Sequence, residues 1–120
     1  MATAIPIFRV FDRKKLVEFY IDWLGFSIAF EHNPPNAPFY MRVSIRDVYI
    51  DLTEHHGDCS PGAKISISDF EGLEAYHKSL SEKDFVYMNP GLERPEWDPE
   101  TLNMTVIDPF FNRIIFTEKV

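Results

Sequence analysis

Residues 3–31, TAIPIFRVFDRKKLVEFYIDWLGFSIAFE, decide the fold, because their hydrophobic period changes twice along the run. TAIPIFRV (3–10) alternates and carries β-branched and aromatic residues, the pattern of a strand half buried on a sheet. Pro6 cannot donate a ladder hydrogen bond, so this strand belongs at an edge or crosses to another module. Asp12 reads as an N-cap for RKKLVEFYIDWLG, in which Leu16, Val17, Phe19, Tyr20, Trp23 and Leu24 recur at helical spacing and Gly25 supplies the stop. Trp23 is expected in the core. FSIAFE (26–31) returns to strand, so the chain opens β-α-β.

Beyond this run, NPPNAP (33–38) is a stiff loop, since adjacent prolines forbid a helix. FYMRVSI and DVYIDLT then form a hairpin with Arg46 and Asp47 near its turn. EHHGDCSPG (54–62) is rich in turn formers and is the expected linker. The pattern restarts with AKISIS as a strand. Asp69 opens a helix over FEGLEAYHKSLSEK with Leu73, Tyr76 and Leu80 as its apolar stripe, and Phe85–Met88 makes a short strand. NPGLERPEWDPET is read as a long loop, of a length that usually serves a function. LNMTVID and RIIFTE are the last two strands, joined by the turn DPFFN. The expected fold class is α+β: a βαβββ module over 1–56, the linker 54–62 and a second βαβββ module over 63–120, forming a curved mixed sheet with helices outside. The duplication is one of topology, without a residue-level repeat.

Composition narrows the function. A net charge of −7 repels phosphate backbones and anionic lipid, which argues against nucleic-acid and membrane partners and favours a cationic ligand. No run reaches the apolar length of a membrane span, the N-terminal stretch has no leader pattern, and the single Cys59 suits a reducing compartment. A cytoplasmic location is expected. The aromatic share of 15%, with eleven Phe, five Tyr and two Trp, suggests rings exposed at a pocket or interface as well as in the core.

AIPIFRVFD, FYIDWLGF, IDLTEHHGD and MTVIDPFFNRIIFTE together resemble the glyoxalase and bleomycin-resistance family of the vicinal-oxygen-chelate superfamily, over nearly the whole chain. The more specific elements are FY-x-x-x-LGF after the first strand and DP-x-x-NR before the last. The resemblance implies paired modules, a homodimer and a binding cavity in each cup-shaped sheet. In metal-using relatives four strand positions supply His and carboxylate ligands to a divalent ion. Those positions match Ile5, Asp51, Ala63 or Lys64, and Ile115, and of these only Asp51 can bind a metal. The resemblance therefore implies the bleomycin-resistance-like branch: a protein without cofactor or metal that sequesters a partly aromatic, cationic molecule, such as a bleomycin-type antibiotic, in a dimer groove. The alternative is a metal-dependent lyase or isomerase with an unusual ligand set of Asp51 with His55 or His56.

Alternation places Tyr49 and Thr53 on the face of Asp51, with Ile50 and Leu52 on the other. The first strand adds Ile5, Ile7 and Arg9, and the last adds Arg113, Ile115 and Thr117. Arg9 or Arg113 either lines the cup or neutralises Asp51. Trp97, in a polar loop, is a candidate to stack on a ligand, with docking on its own domain as the alternative. Phe30, Phe39 and Tyr40 flank the Pro-rich loop and offer the other side of an aromatic clamp, worth ~1 kcal/mol per face beyond burial, unless they pack in the core. His55, His56 and Asp58 cluster in the linker, but adjacent imidazoles rarely address one ion, so solvated histidines are expected. Cys59 sits beside Asp58, whose charge raises its pKa, and no catalytic nucleophile or phosphate loop is present.

Overall fold

A computed structural model describes residues 2–86 and 88–120 of the protein. The chain divides into two compact units, the first running to Ala63 and taking in Asp108–Asn112, the second comprising Lys64–Ile107 and Arg113–Val120.

The first unit contains β1 (Ile7–Arg9), α1 (Arg13–Leu16) continued by a π-helical stretch (Val17–Trp23), β2 (Ser27–His32), β3 (Tyr40–Ile45) and β4 (Val48–Thr53). Its sheet has the order β1-β4-β3-β2, with β1 and β4 parallel and the other pairs antiparallel. β1 is an edge strand, where Pro6 needs no ladder donor, and its carbonyl accepts from Asp51 N at 2.9 Å. Asp12 caps α1 as expected, its side chain accepting from Lys15 N.

The helix differs from the expected 3.6-residue form past Leu16. Leu24 N bonds to Phe19 O, five residues back, and Phe26 N reaches Tyr20 O. The physical reason lies in the spacing of the large side chains. Leu16, Tyr20 and Leu24 recur every four residues, as do Phe19 and Trp23, and a wider turn keeps all five on the buried side. Gly25, at φ 84, ends the segment. The rings pack edge to face, Phe19 on Tyr20 at 4.9 Å and Tyr20 on Phe26 at 5.8 Å between centroids. From the sheet, Phe8, Met41, Val43, Ile50 and Leu52 are fully buried, each contributing about 1.5–3 kcal/mol on a transfer scale.

The DPFFN turn joins this unit through a buried polar cluster. Asp108 Oδ1 accepts from Phe110 N and Asn112 N, both at 2.8 Å, while Oδ2 accepts from the Tyr20 hydroxyl and Asn112 Nδ2. Asn112 also donates to Arg9 O and accepts from Ala63 N. Burial nonetheless holds the Asp108 carboxyl above its ordinary pKa, and burial first, with the Asp108 charge second, pushes the Tyr20 phenol up.

The second unit repeats the topology with β5 (Lys64–Ile67), α2 (Leu73–Glu82), β6 (Leu92–Glu93), β7 (Thr101–Ile107) and β8 (Arg113–Lys119) in the order β5-β8-β7-β6. Leu73 and Leu80 are buried as the apolar stripe requires, and Tyr76 packs against Phe70 and Phe116. Two expectations need correction. Asp69 does not open the helix, because it sits at φ 57 in a turn. α2 begins at Leu73, its first amides capped from β8 by Glu118, which accepts from Gly72 N and Leu73 N at 2.9 and 3.0 Å. The described residues of the expected strand Phe85–Met88 are not in a strand, and Tyr87 lies outside the described residues. The partner of β7 is instead Leu92–Glu93, where Leu92 lies opposite Met104. Among the described residues no helix is long and apolar enough to cross a membrane.

Candidate ligand-binding face

The face of the first sheet opposite its core is built in rows. Ile7, Asp51, Arg42 and Phe30 stand side by side across β1, β4, β3 and β2. Arg9, Thr53, Tyr40 and His32 form the next row, and Ser44 pairs with Tyr49 on the other side. Alternation thus puts Asp51 with Tyr49 and Thr53, as the sequence implies.

Asp51 is only 3% exposed, and both its oxygens are engaged. Oδ1 accepts from Arg42 Nε at 2.7 Å, while Oδ2 accepts from Arg42 Nη2 at 3.1 Å and from the Tyr40 hydroxyl at 2.5 Å. Burial, then the bond to Asp51, pushes the Tyr40 phenol up to about 12, and the same carboxylate raises the Arg42 guanidinium. The guanidinium lies 5.3 Å from the Phe30 ring centroid, and Phe30 stacks on Tyr40 at 6.1 Å with planes 20° apart. Around this polar centre Ile7, Phe30 and Tyr49 are exposed.

The residue that neutralises Asp51 is therefore Arg42, and neither Arg9 nor Arg113 fills that place. Arg9 donates from Nη2 to Glu54 O, lies 4.5 Å from the Phe11 centroid and keeps a buried Nε without a partner among the described residues. Arg113 is exposed at the start of β8, opposite Lys64 and Ile107. The signal for Arg42 was present in the sequence. A two-residue turn at Arg46 and Asp47 pairs Ile45 with Val48, and counting back along β3 sets Arg42 opposite Asp51.

Of the other candidates, Thr53 is fully buried, its hydroxyl donating to Asp58 Oδ2 at 2.8 Å and accepting from His55 N. Phe39 is buried at 1% exposure, so its ring belongs to the core. Trp97, in the second unit, is 85% exposed on a loop held by bonds from Asp98 N to Pro95 O, from Thr101 Oγ1 to Asp98 Oδ2 and from Arg94 to Pro99 O. His55 and His56 are exposed. The Cys59 thiol is pushed up by burial and then by Asp58. A groove of about 730 Å³ runs along α2, lined by residues that include Glu74, His77, Lys78 and Leu92, but it is broad and largely helix surface.

A family model described as glyoxalase superfamily protein matches residues 1–120. The chain belongs to the glyoxalase superfamily. No curated protein matches it in sequence. Among solved structures it is similar to a bleomycin resistance determinant encoded on transposon Tn5, at a TM-score of 0.73 and 16% identity over 99% of this chain and 98% of the other. It is likewise similar to a bleomycin-binding protein complexed with bleomycin (TM-score 0.72, 16% identity, all of both chains). A third is TnmS3, an antibiotic-binding protein from Streptomyces sp. CB03234 (0.72, 18%, all of this chain and 99% of that one). At these identities the likeness establishes the fold.

The divalent-metal set of metal-using members of the glyoxalase superfamily does not fit the residues present. Both oxygens of Asp51 are engaged by Arg42 and Tyr40, and among the described residues no three His, Cys, Asp or Glu side chains gather into a ligand group. Ile5, Ala63 and Ile115 offer no donor side chain, and Lys64 is exposed.

Proposed function

We propose that this glyoxalase-superfamily chain is a metal-independent binding protein that sequesters a partly aromatic, cationic small molecule of the bleomycin type, acting as a cytoplasmic homodimer. The observation that carries this reading is the face around Phe30, Tyr40 and Arg42, where stacked rings and a guanidinium surround a carboxylate already spent on its neighbours. Such a face suits stacking of planar groups, and its one carboxylate is already paired with a cation. The net charge of −7 favours a cationic ligand by long-range attraction, a role that Asp51 itself does not fill once Arg42 neutralises it. Structural neighbours include proteins that bind bleomycin or an antibiotic, which supports the same ligand class.

Calorimetric titration with bleomycin in the presence of a chelator tests the proposal. Saturable binding is expected, weakened about fivefold in Phe30→Ala by loss of one stacking face. Absence of heat and of any change in Trp fluorescence at high micromolar bleomycin would overturn this ligand assignment. Light scattering on the eluting protein tests the homodimer.

A further inference from the structure

At the centre of the open face of the first sheet, Asp51, Tyr40 and Thr53 are already engaged by their neighbours. Asp51 accepts three hydrogen bonds and is closed to solvent, the Tyr40 hydroxyl donates to Asp51, and the Thr53 hydroxyl donates to Asp58. Arg42 keeps donors to spare at the exposed rings, whereas the unpartnered Nε of Arg9 in the next row is buried. Arg42 uses Nε and one Nη2 hydrogen, its side chain is 33% exposed, and its Nη1 has no partner among the described residues. A guanidinium has five N–H donors in a rigid plane, so the edge bearing Nη1 still presents donors at a fixed angle. Asp51 holds that plane from one side and the Phe30 ring lies 5.3 Å from it, while Ile7 and Tyr49 are exposed alongside on the same face.

From this arrangement we infer that Arg42 is the specificity-determining residue of the binding face, and that the part of the ligand seated there is a flat aromatic group bearing a neutral carbonyl acceptor, such as an aryl amide. The inference rests on the ligand-binding reading above and deepens it. A neutral carbonyl is favoured over a carboxylate because Asp51 already compensates the Arg42 charge and the chain carries −7 overall. An ammonium at this spot finds no acceptor, because the exposed edge of Arg42 carries donors only, so the positive groups of a cationic ligand lie away from it.

The test is a nuclear magnetic resonance titration of the wild type and Arg42→Lys with three probes sharing one ring system: naphthamide, naphthoate and naphthylmethylammonium. In the wild type the amide is expected to bind roughly tenfold tighter than either ion and to shift the Arg42 side-chain N–H signals, as a hydrogen bond to a charged donor implies. Arg42→Lys keeps a cation near Asp51 but loses the fork, and is expected to bind the amide and the ammonium alike. Tightest binding of naphthoate overturns the choice of a neutral acceptor. Equal binding of all three probes, or an amide preference retained in Arg42→Lys, overturns the role of Arg42. The wild-type Arg42 signals decide the matter even where the variant fails to fold. Bleomycin in a parallel titration separates the two levels: bleomycin bound without amide preference sinks only this inference, whereas silence of every probe and of bleomycin sinks the binding reading as well.

Discussion

The Tyr20 hydroxyl donates to Asp108 Oδ2 at 2.7 Å and so ties the π-helical segment to a turn 88 positions later in the chain. Both groups are buried, and Asp108 meets four donors in all. Within the first unit this bond joins the only late segment, Asp108–Asn112, to the early helix. The residues of DP-x-x-NR that carry the family resemblance thus have a structural reason: the Asp receives the Tyr, and the Asn bridges to Arg9 O and Ala63 N.

Tyr20→Phe removes this donor while keeping the ring. It is expected to cost about 2 kcal/mol, because a buried carboxylate loses one of its partners and no water replaces it. Urea unfolding followed by circular dichroism measures the change, with the midpoint lowered and the slope unchanged. A loss within experimental error would mean that the bond carries no net stability.

Glu118 reaches from β8 to the amides of Gly72 and Leu73 at the start of α2, a cap supplied from a distant strand rather than from the residue before the helix. Gly72, the residue in the cap position, has no side chain to offer and sits at φ 73. Glu118→Ala should lower stability by ~1 kcal/mol, the usual value of an N-cap, and Glu118→Gln by less, since an oxygen acceptor remains. Amide hydrogen exchange adds a local readout, with faster exchange at Leu73 expected in the Ala variant and unchanged exchange in β3.

The contrast between these two caps shows what the sequence makes legible. Asp12 is adjacent to the helix it caps and could be read directly, whereas Glu118 is invisible to local patterning because it lies on another element. The same holds for strands. β3 and β4 alternate over six residues each and are plain, but β6 is two residues long inside a Pro- and Gly-rich run and has no period to detect. In the candidate site, Tyr49 falls on the face of Asp51 as alternation along β4 requires, whereas Phe30 comes opposite Arg42 across a register shift in β2 between Ile28 and Phe30. The identity of the partner of Asp51 required strand register, and choosing Arg9 or Arg113 by charge alone passed over Arg42 directly across the hairpin.

That ion pair predicts an ordering of variants. Arg42→Met leaves Asp51 buried with only the Tyr40 hydroxyl, and it should destabilise more than the double variant Arg42→Met/Asp51→Leu, which removes both charges. The coupling from a double-mutant cycle is expected to be favourable and clearly above the few tenths of a kcal/mol at which distant sites merely add. A double variant as unstable as the sum of the singles would show that the pair is not coupled.

Tyr40 predicts a pH dependence with a definite sign. Its ordinary pKa is 10.0, and in the folded protein burial and the bond to Asp51 push it up to about 12. Below 10 the phenol is protonated in both states and its full stabilising contribution is present. Between 10 and about 12 the unfolded chain releases the proton while the native state retains it, so the native state binds more protons and stability falls as pH rises. Above about 12 that contribution is gone. Wild-type protein should therefore lose stability more steeply across this interval than Tyr40→Phe, the difference between them narrowing as pH rises. Ultraviolet titration of the tyrosinate band should also show a late component that shrinks by one tyrosine in Tyr40→Phe, the buried Tyr20 supplying what remains. If the variant titrates with the same late component as the wild type, the short bond between Tyr40 and Asp51 is not what holds that phenol protonated.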